Sequence, residues 1–288
     1  MTAQYSQHEL LRWARAYLGS LEGSDPGVDA RVLLEWALSV DNLWAAPQMV
    51  GAHAAERFRS AVAQRRARRP LQHIVGRMWF RHLVLSAQEG VFICRPETEV
   101  VAGAAIDEAT RRAADGVRPI VVDLCTGSGA IALALATEVA GAQVHAVELM
   151  DEAVALAARN IAELAPGLVK LHHGDATSPT MLAHLDGTVD IVVSNPPYVP
   201  TAMPVTQSEA SVDPATALYG GGEDGMVLPR GILTRAYHLL RPGGLLVMEH
   251  AEVQAQALRE AALASGFSEV ATGKDLADND RYLSAWRG

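Results

Sequence analysis

The chain has only two cysteines among 288 residues, Cys94 and Cys125, with no CxxC pair and no metal-ligand spacing. Two lone thiols give no disulfide framework and suit a reducing compartment. No stretch supplies about twenty consecutive apolar residues, so no membrane span is expected. The first residues, MTAQYSQHELLRW, lack the basic start and apolar core of a secretory leader, which makes the cytoplasm the expected location. A basic excess is missing as well. The formal net charge is −9, which argues against holding a nucleic-acid duplex by neutralising its phosphates. The run Gly220–Gly225, GGGEDG, is no P-loop, since no Gly-Lys-Ser/Thr follows, and it reads instead as a flexible lid. No Ser/His/Asp nucleophile set is visible. His172 and His173 have no carboxylate or cysteine at ligand spacing, so no metal is expected.

What is present is an ordinary globular composition, 49% hydrophobic and 20% charged, long enough for one large domain or two smaller ones. Charge is unevenly spread. Residues 1–90 hold 11 basic against 8 acidic groups, +3, whereas residues 91–288 hold 13 against 25, −12. Residues 5–70 read as helices: Leu10, Leu11, Trp13, Ala14, Tyr17 and Leu18 form one apolar stripe, and Asp25-Pro26 marks a second helix start. A third helix, about 54–68, carries Arg57, Arg59, Arg65, Arg66, Arg68 and Arg69. That side is either a solvated basic face or a docking surface. Residues 71–94 lose the helical period and read as a hairpin or linker.

Beyond that point strands and helices alternate. Strands are expected at Ile120–Leu124, Gln143–Glu148, Val169–His172, Val189–Ser194 and Leu245–Glu249, the last after a turn at Arg241–Gly244. Helices are expected over Ala130–Ala140 and Asp151–Leu164. This alternation implies a mostly parallel sheet with helices on both faces. The first strand runs into Asp123-Leu-Cys-Thr-Gly127-Ser-Gly129, and with Ala132 the pattern is G-x-G-x-x-A. It fits a dinucleotide or S-adenosylmethionine (SAM). Glu148, at the tip of the second strand, is placed to accept from ribose hydroxyls. A buried Asp123 would orient the loop and favour a ligand with positive charge, such as the SAM ammonium and sulfonium. Asp175 falls at the third strand tip, where it could accept from an exocyclic amine, with Ala176 flanking the ring.

The fourth strand ends in SNPPYVP, residues 194–200, where two adjacent prolines stop any ladder. Asn195 offers a carbonyl acceptor, and the prolines stiffen the neighbouring backbone. Two preset acceptors suit an –NH2 group, leaving its lone pair free to face a methyl donor. Tyr198 could wall the planar amide or base.

The (N/D)PP(Y/F) signature together with D-x-x-x-G-x-G resembles SAM-dependent amino-group methyltransferases. More narrowly, four stretches resemble the release factor glutamine methyltransferase family (HemK/PrmC): Arg95–Glu99, RPETE; Asp123–Leu133; Asn195–Val199; and Ala217–Gly225. The resemblance implies a Rossmann-like class I SAM methyltransferase α/β fold, mostly parallel and seven-stranded. It also implies an N-terminal helical substrate-docking bundle over 1–70, a hairpin linker over 71–94 and a catalytic domain over 95–288. The implied reaction passes a methyl from SAM to the glutamine N5 of the GGQ motif in peptide chain release factors, leaving S-adenosylhomocysteine, without metal, membrane or nucleic-acid substrate. Implied cofactor residues are Arg95, Thr98, Asp123, Cys125, Thr126, Gly127, Ser128, Gly129, Glu148, Asp175, Ala176 and Asn195. Implied catalytic and substrate-binding residues are Asn195, Pro196, Pro197 and Tyr198. Cys125 departs from the family, which usually has Gly there, so the backbone must tolerate a Cβ. Ala176 stands where an aromatic residue is frequent, and Cys94 where Pro is common. Competing readings are a ribosomal-protein glutamine methyltransferase, an N6-adenine or other nucleic-acid amino methyltransferase acting on a flipped base, and a non-catalytic SAM-binding adaptor.

Overall fold

The structure, a computed structural model, describes residues 4–19, 21, 24–203 and 212–288. The chain divides into two compact units, with a boundary after Arg77. The first contains β1 (Gln4–Ser6), α1 (Gln7–Leu18), α2 (Pro26–Leu38), β2 (Met49–Gly51), α3 (Ala52–Arg66) and α4 (Leu71–Val75). Helix α2 begins where Asp25-Pro26 predicts it. Oδ1 of Asp25 accepts the N–H groups of Gly27 and Val28 at 2.7 and 3.1 Å, and proline is compatible with the first helical turn. The apolar stripes of α1, α2 and α3 meet around Leu10, Leu18, Leu33, Phe58 and Val62. An all-helical reading of this region needs one correction, because β1 and β2 pair antiparallel. Strands of three residues are too short to show a period.

The arginines of α3 form neither a plain solvated face nor a free one. Arg57 lies over the Trp36 ring at 4.7 Å, and Arg59 lies over Tyr5 at 4.3 Å. Arg65 is buried, its Nε donating to Oδ2 of Asp29 at 2.6 Å. Arg66 donates to the Leu18 carbonyl at 3.3 Å.

A hairpin of β3 (Arg77–Phe80) and β4 (Leu83–Ser86) leads to α5 (Pro96–Ala114). Then come β5 (Ile120–Leu124), α6 (Ala130–Glu138), β6 (Gln143–Glu148), α7 (Asp151–Leu164), β7 (Val169–His173) and β8 (Val189–Ser194). The chain closes with α8 (Ala215–Leu218), α9 (Val227–Leu239), β9 (Leu240–Glu249), α10 (Ala255–Ala264), β10 (Phe267–Lys274) and β11 (Asp280–Arg287). The sheet is seven-stranded in the order β7-β6-β5-β8-β9-β11-β10. Strands β5 to β9 pair in parallel, and β11 runs antiparallel to both of its neighbours. Strand β9 takes in the Arg241–Gly244 segment that was expected to precede it.

Both faces of the sheet are covered, which is why its central strands β5 and β8 read as nearly continuous apolar runs. Helices α5 and α6 pack on one face, together with Met78, Phe80, Leu83 and Leu85 of the hairpin. Helices α9 and α10 cover the other through Ile232, Leu233, Leu258 and Ala262. At the N-terminal strand ends a buried ionic cluster ties these layers together. Arg112 of α5 donates to Glu108 at 2.6 Å, Asp190 at 2.9 Å and the Gly243 carbonyl at 2.5 Å. Asp190 also accepts the Ile120 N–H at 2.8 Å and Arg241 Nε at 2.7 Å. Removing one partner of such a cluster leaves buried charge short of compensation, which typically costs about 3–5 kcal/mol. Arg112→Leu is therefore expected to lose about that much stability in urea unfolding. A loss below about 1 kcal/mol would show that the exposed Arg111 and Arg241 can replace it.

Candidate active site

Strand order reverses between β5 and β8, and in open α/β sheets ligands sit at the C-terminal strand ends beside such a reversal. A cavity of about 550 Å³ lies there, within the range that takes a cofactor-sized ligand. Among the expected residues, Thr98, Cys125, Thr126, Gly127, Ser128, Glu148, Asp175, Ala176, Asn195 and Pro197 line it. Arg95, Asp123, Gly129, Pro196 and Tyr198 do not.

Asp123 stands behind the loop after β5. Its buried Oδ2 accepts the Thr126 hydroxyl at 2.5 Å and the Ala132 N–H at 3.1 Å, joining the strand end to the start of α6. Oδ1 is buried with no hydrogen-bond partner among the described residues. Burial pushes the Asp123 carboxyl up to about 7, against the pull of those two donors. Glu148 clasps the same loop from the next strand: Oε2 accepts the Gly127 N–H at 2.8 Å, while Oε1 accepts those of Leu149 and Met150 at 2.8 and 2.9 Å. Asn160 of α7 holds the loop from below, donating to the Ser128 carbonyl at 2.9 Å.

The departure at Cys125 is visible in the backbone, with φ at +65°. A Cβ in that left-handed region costs roughly 1–2 kcal/mol. The surrounding bonds of Asp123 and Glu148 fix the loop strongly enough to hold it there. Burial pushes the Cys94 thiol up to about 12 and the Cys125 thiol higher still, so neither is a nucleophile at neutral pH.

Arg95 is not among the cavity's lining residues; it lies over the Phe92 ring at 5.2 Å and pairs with Asp213 at 2.5 Å. Asp213 also accepts the Ile93 N–H at 3.4 Å, so the pair fastens the entry of α5 to the segment carrying α8. Pro214, Thr216, Ala217 and Tyr219 of that segment line the cavity. Asp175 uses Oδ1 to accept both the N–H and the hydroxyl of Thr177, at 2.8 and 2.7 Å.

At the end of β8, the Ser194 hydroxyl donates to the Leu124 carbonyl at 2.7 Å, holding the two central strand tips together. Asn195 follows, and its Nδ2 donates to Thr98 Oγ1 at 3.2 Å, leaving Oδ1 as the free acceptor. Thr98, read from sequence as a cofactor contact, is thus also a support for Asn195. The Tyr198 hydroxyl donates to Glu249 at 3.0 Å. Glu249 is a buried carboxylate that sequence gave no reason to single out, beyond its ending an apolar strand.

The GGGEDG run is a buttress rather than a flexible lid. Tyr198 and Val199 both donate their N–H groups to the Leu218 carbonyl, at 3.0 and 2.8 Å, and Gly220 donates back to Val199 at 3.1 Å. Gln254 Nε2 donates to the carbonyls of Tyr198 and Asp224 at 2.7 and 2.8 Å. A Cβ at Gly225 would lie 2.3 Å from the Tyr198 carbonyl oxygen, at a φ of +70°. Gly225→Ala should therefore cost distinctly more stability than the roughly 1–2 kcal/mol of a left-handed alanine alone. Gly116→Ala, at φ +80° with nothing within 4 Å, is the matched control. Equal shifts of the two denaturation midpoints would show that the turn at 195–199 yields freely.

The charged residues lining the cavity are Glu148, Glu152 and Asp175; no Lys, Arg or His among the described residues lines it. A dinucleotide would set its pyrophosphate against carboxylates with no cation to offset them. A sulfonium and an ammonium meet a field of opposite sign, and the orphaned Asp123 Oδ1 lies behind the same loop. The residues fit SAM. Among the described residues no group of three or more His, Cys, Asp or Glu could hold a metal ion, and no helix is long and apolar enough to cross a membrane.

Known proteins agree with this geometry. Residues 9–76 match the PrmC N-terminal domain, and residues 95–230 match the methyltransferase small domain. A methyltransferase structure from Pyrococcus furiosus shares the fold, with a TM-score of 0.50 at 18% identity over 71% of this chain and 88% of that one. The chain is 48% identical over 235 residues to the release factor glutamine methyltransferase of Bifidobacterium longum, covering 79% of each. It is 40% identical over 279 residues to that of Corynebacterium glutamicum, covering 96% of this chain and 97% of the relative. With both domains matched and similarity running almost end to end, the chain belongs to the release factor glutamine methyltransferase family.

Proposed function

We propose that this enzyme transfers a methyl group from SAM to N5 of the glutamine in the GGQ motif of peptide chain release factors, in the cytoplasm, and so tunes translation termination. The observation that carries the reading is the Asn195 amide, held by Thr98 with its oxygen free at an acid-lined cavity.

Glu148 would hold a ribose hydroxyl with its remaining lone-pair site. Three of its lone-pair sites already accept backbone N–H groups, so it is fixed in place before any ligand arrives. Asp175, with Oδ1 committed to Thr177, has Oδ2 left for an adenine amine. Ala176 flanks that position, and Cys125 to Gly129 follow the methionine part. Bound SAM supplies an electrophilic methyl group on a sulfonium.

A glutamine amide nitrogen is a poor nucleophile, because its lone pair is delocalised into the carbonyl. The protein's task is to orient it. Asn195 Oδ1 takes one amide hydrogen. The carbonyls of Tyr198 and Val199 are engaged by Gln254 and Gly220, so the second acceptor comes from a carbonyl nearer Asn195. Pro196 and Pro197 keep that carbonyl still. Such positioning contributes up to roughly 7–11 kcal/mol in favourable cases. Tyr198 supports the turn through its hydroxyl and walls its outer side. The helical unit, residues 1–70, would dock the release factor and residues 71–94 would link it to the catalytic part, 95–288.

The test offers labelled SAM together with a release factor, its GGQ→GGA variant and duplex DNA. Label is expected on the GGQ protein alone; label on DNA in its place would sink the reading. Asn195→Ala should lower the methylation rate by roughly 10²–10³. Calorimetry should find SAM affinity changed only a few-fold, since Asn195 is one contact among many. Near-normal turnover in that variant would refute the acceptor role.

A further inference from the structure

Asparagine suits a helix interior poorly, and buried without partners it is costly. Asn160 nevertheless stands inside α7 at 0% exposure. Its side chain is spent entirely on backbone. Oδ1 accepts the Ser86 N–H at 2.9 Å, while Nδ2 donates to the Ser86 carbonyl at 3.3 Å and to the Ser128 carbonyl at 2.9 Å. One N–H and two carbonyls admit the amide only one way round, because the reverse sets a donor against a donor and an acceptor against two acceptors.

The two serines belong to separate walls of the cavity. Ser86 closes β4, and the segment after it brings Gly90, Val91, Phe92 and Cys94 to the cavity on its way to α5. Ser128 lies in the loop after β5, which lines the cavity from Cys125 onward. Helix α7 backs both. Val91 packs on Ala153 and Leu156, and a Cβ at Gly129 would stand 3.6 Å from that of Ala157. Arg159 also reaches Gln88, at 2.9 Å. Apolar contact sets how near such layers come but has no direction, whereas hydrogen bonds fix their register. Among these contacts, Asn160 is the side chain that bonds to both walls.

We infer that Asn160 is a positioning residue for the cofactor: it locks the segment after β4 to the loop after β5, so that the shape of the cavity is set before SAM arrives. The inference rests on the reading of this cavity as the SAM site. Asn160 does not line the cavity itself and acts through Ser86 and Ser128. Without its three bonds the walls keep their apolar contacts with α7 but lose their mutual register, and the binding-competent arrangement is populated for only part of the time. Apparent affinity then falls by that fraction. Bound SAM restores the arrangement, and Asn195 keeps its own support from Thr98. Loss of Asn160 therefore shows in KM for SAM and spares kcat, the reverse of the pattern expected for Asn195.

Asn160→Leu removes all three bonds at similar volume. Calorimetry is expected to find SAM bound about tenfold more weakly, as when the competent arrangement is present about one tenth of the time. At saturating SAM, kcat on a GGQ release factor should stay within a few-fold of the wild type. In the SAM-free protein, amide hydrogen exchange should quicken in residues 87–94 and 125–129 together. Arg112→Leu, destabilised at the other end of the sheet, is the control and should bind SAM as the wild type does. Asn160→Asp keeps the bond to the Ser86 N–H but turns an oxygen on both carbonyls; it should weaken SAM in the same direction, and it decides the matter if the leucine variant does not fold. Unchanged SAM affinity, a loss confined to kcat, or faster exchange in one segment alone would overturn the inference. A wild type that binds no SAM, in a protein whose two segments loosen together on substitution, would uphold the lock and refute the assignment of the cavity instead.

Discussion

A parallel sheet covered on both faces gathers most of its polar groups at the ends of its strands. Almost everything about this enzyme follows from that constraint. At the N-terminal ends, Asp190 gathers Arg112, Arg241 and the Ile120 N–H, and the cluster serves cohesion. At the C-terminal ends, Asp123, Glu148, Asn195 and Glu249 come from β5, β6, β8 and β9 in turn. There they stand in a row of acceptors with no lining cation among the described residues. The same placement that spares the core from unpaired charge gives the site its sign.

Those acceptors are held before any ligand is bound. Glu148 is fixed by backbone N–H groups, and Asp123 by Thr126 and the first turn of α6. Such prior fixing lowers the ordering that binding must impose, and it lets a strained residue such as Cys125 persist in the middle of the loop. Acidity and rigidity thus come from one set of bonds.

Much of this was legible in the sequence. Five of the seven strands could be placed from the alternation of strands and helices, and Gln143–Glu148, Asp151–Leu164 and Val189–Ser194 have the bounds their patterns gave. Strands β10 and β11 did not. Their alternation is broken by exposed and half-buried positions and by register shifts between Ser268 and Ala271 and between Gly273 and Lys274. What no local pattern could carry was contact between distant residues. Thr98 and Asn195 are 97 positions apart, and Tyr198 and Glu249 are 51 apart. The glycines of GGGEDG looked like slack because glycine usually supplies it; here Gly225 is needed because another backbone passes too close for a methyl group. The arginines of α3 likewise suggested a surface charge, but several spend that charge on aromatic rings or a buried carboxylate.

The buttress behind the acceptor turn also bears on how the protein is made. The turn at 195–199 is completed by Leu218, Gly220, Gln254 and the tip of β9, all of which leave the ribosome after it. A nascent chain that has just exposed Val199 holds the prolines but none of the later residues that back the turn. Domains are completed only once the later partners have emerged. A chain ending just before Gln254 would therefore hold the turn at 195–199 without the side chain that ties its Tyr198 carbonyl to that of Asp224.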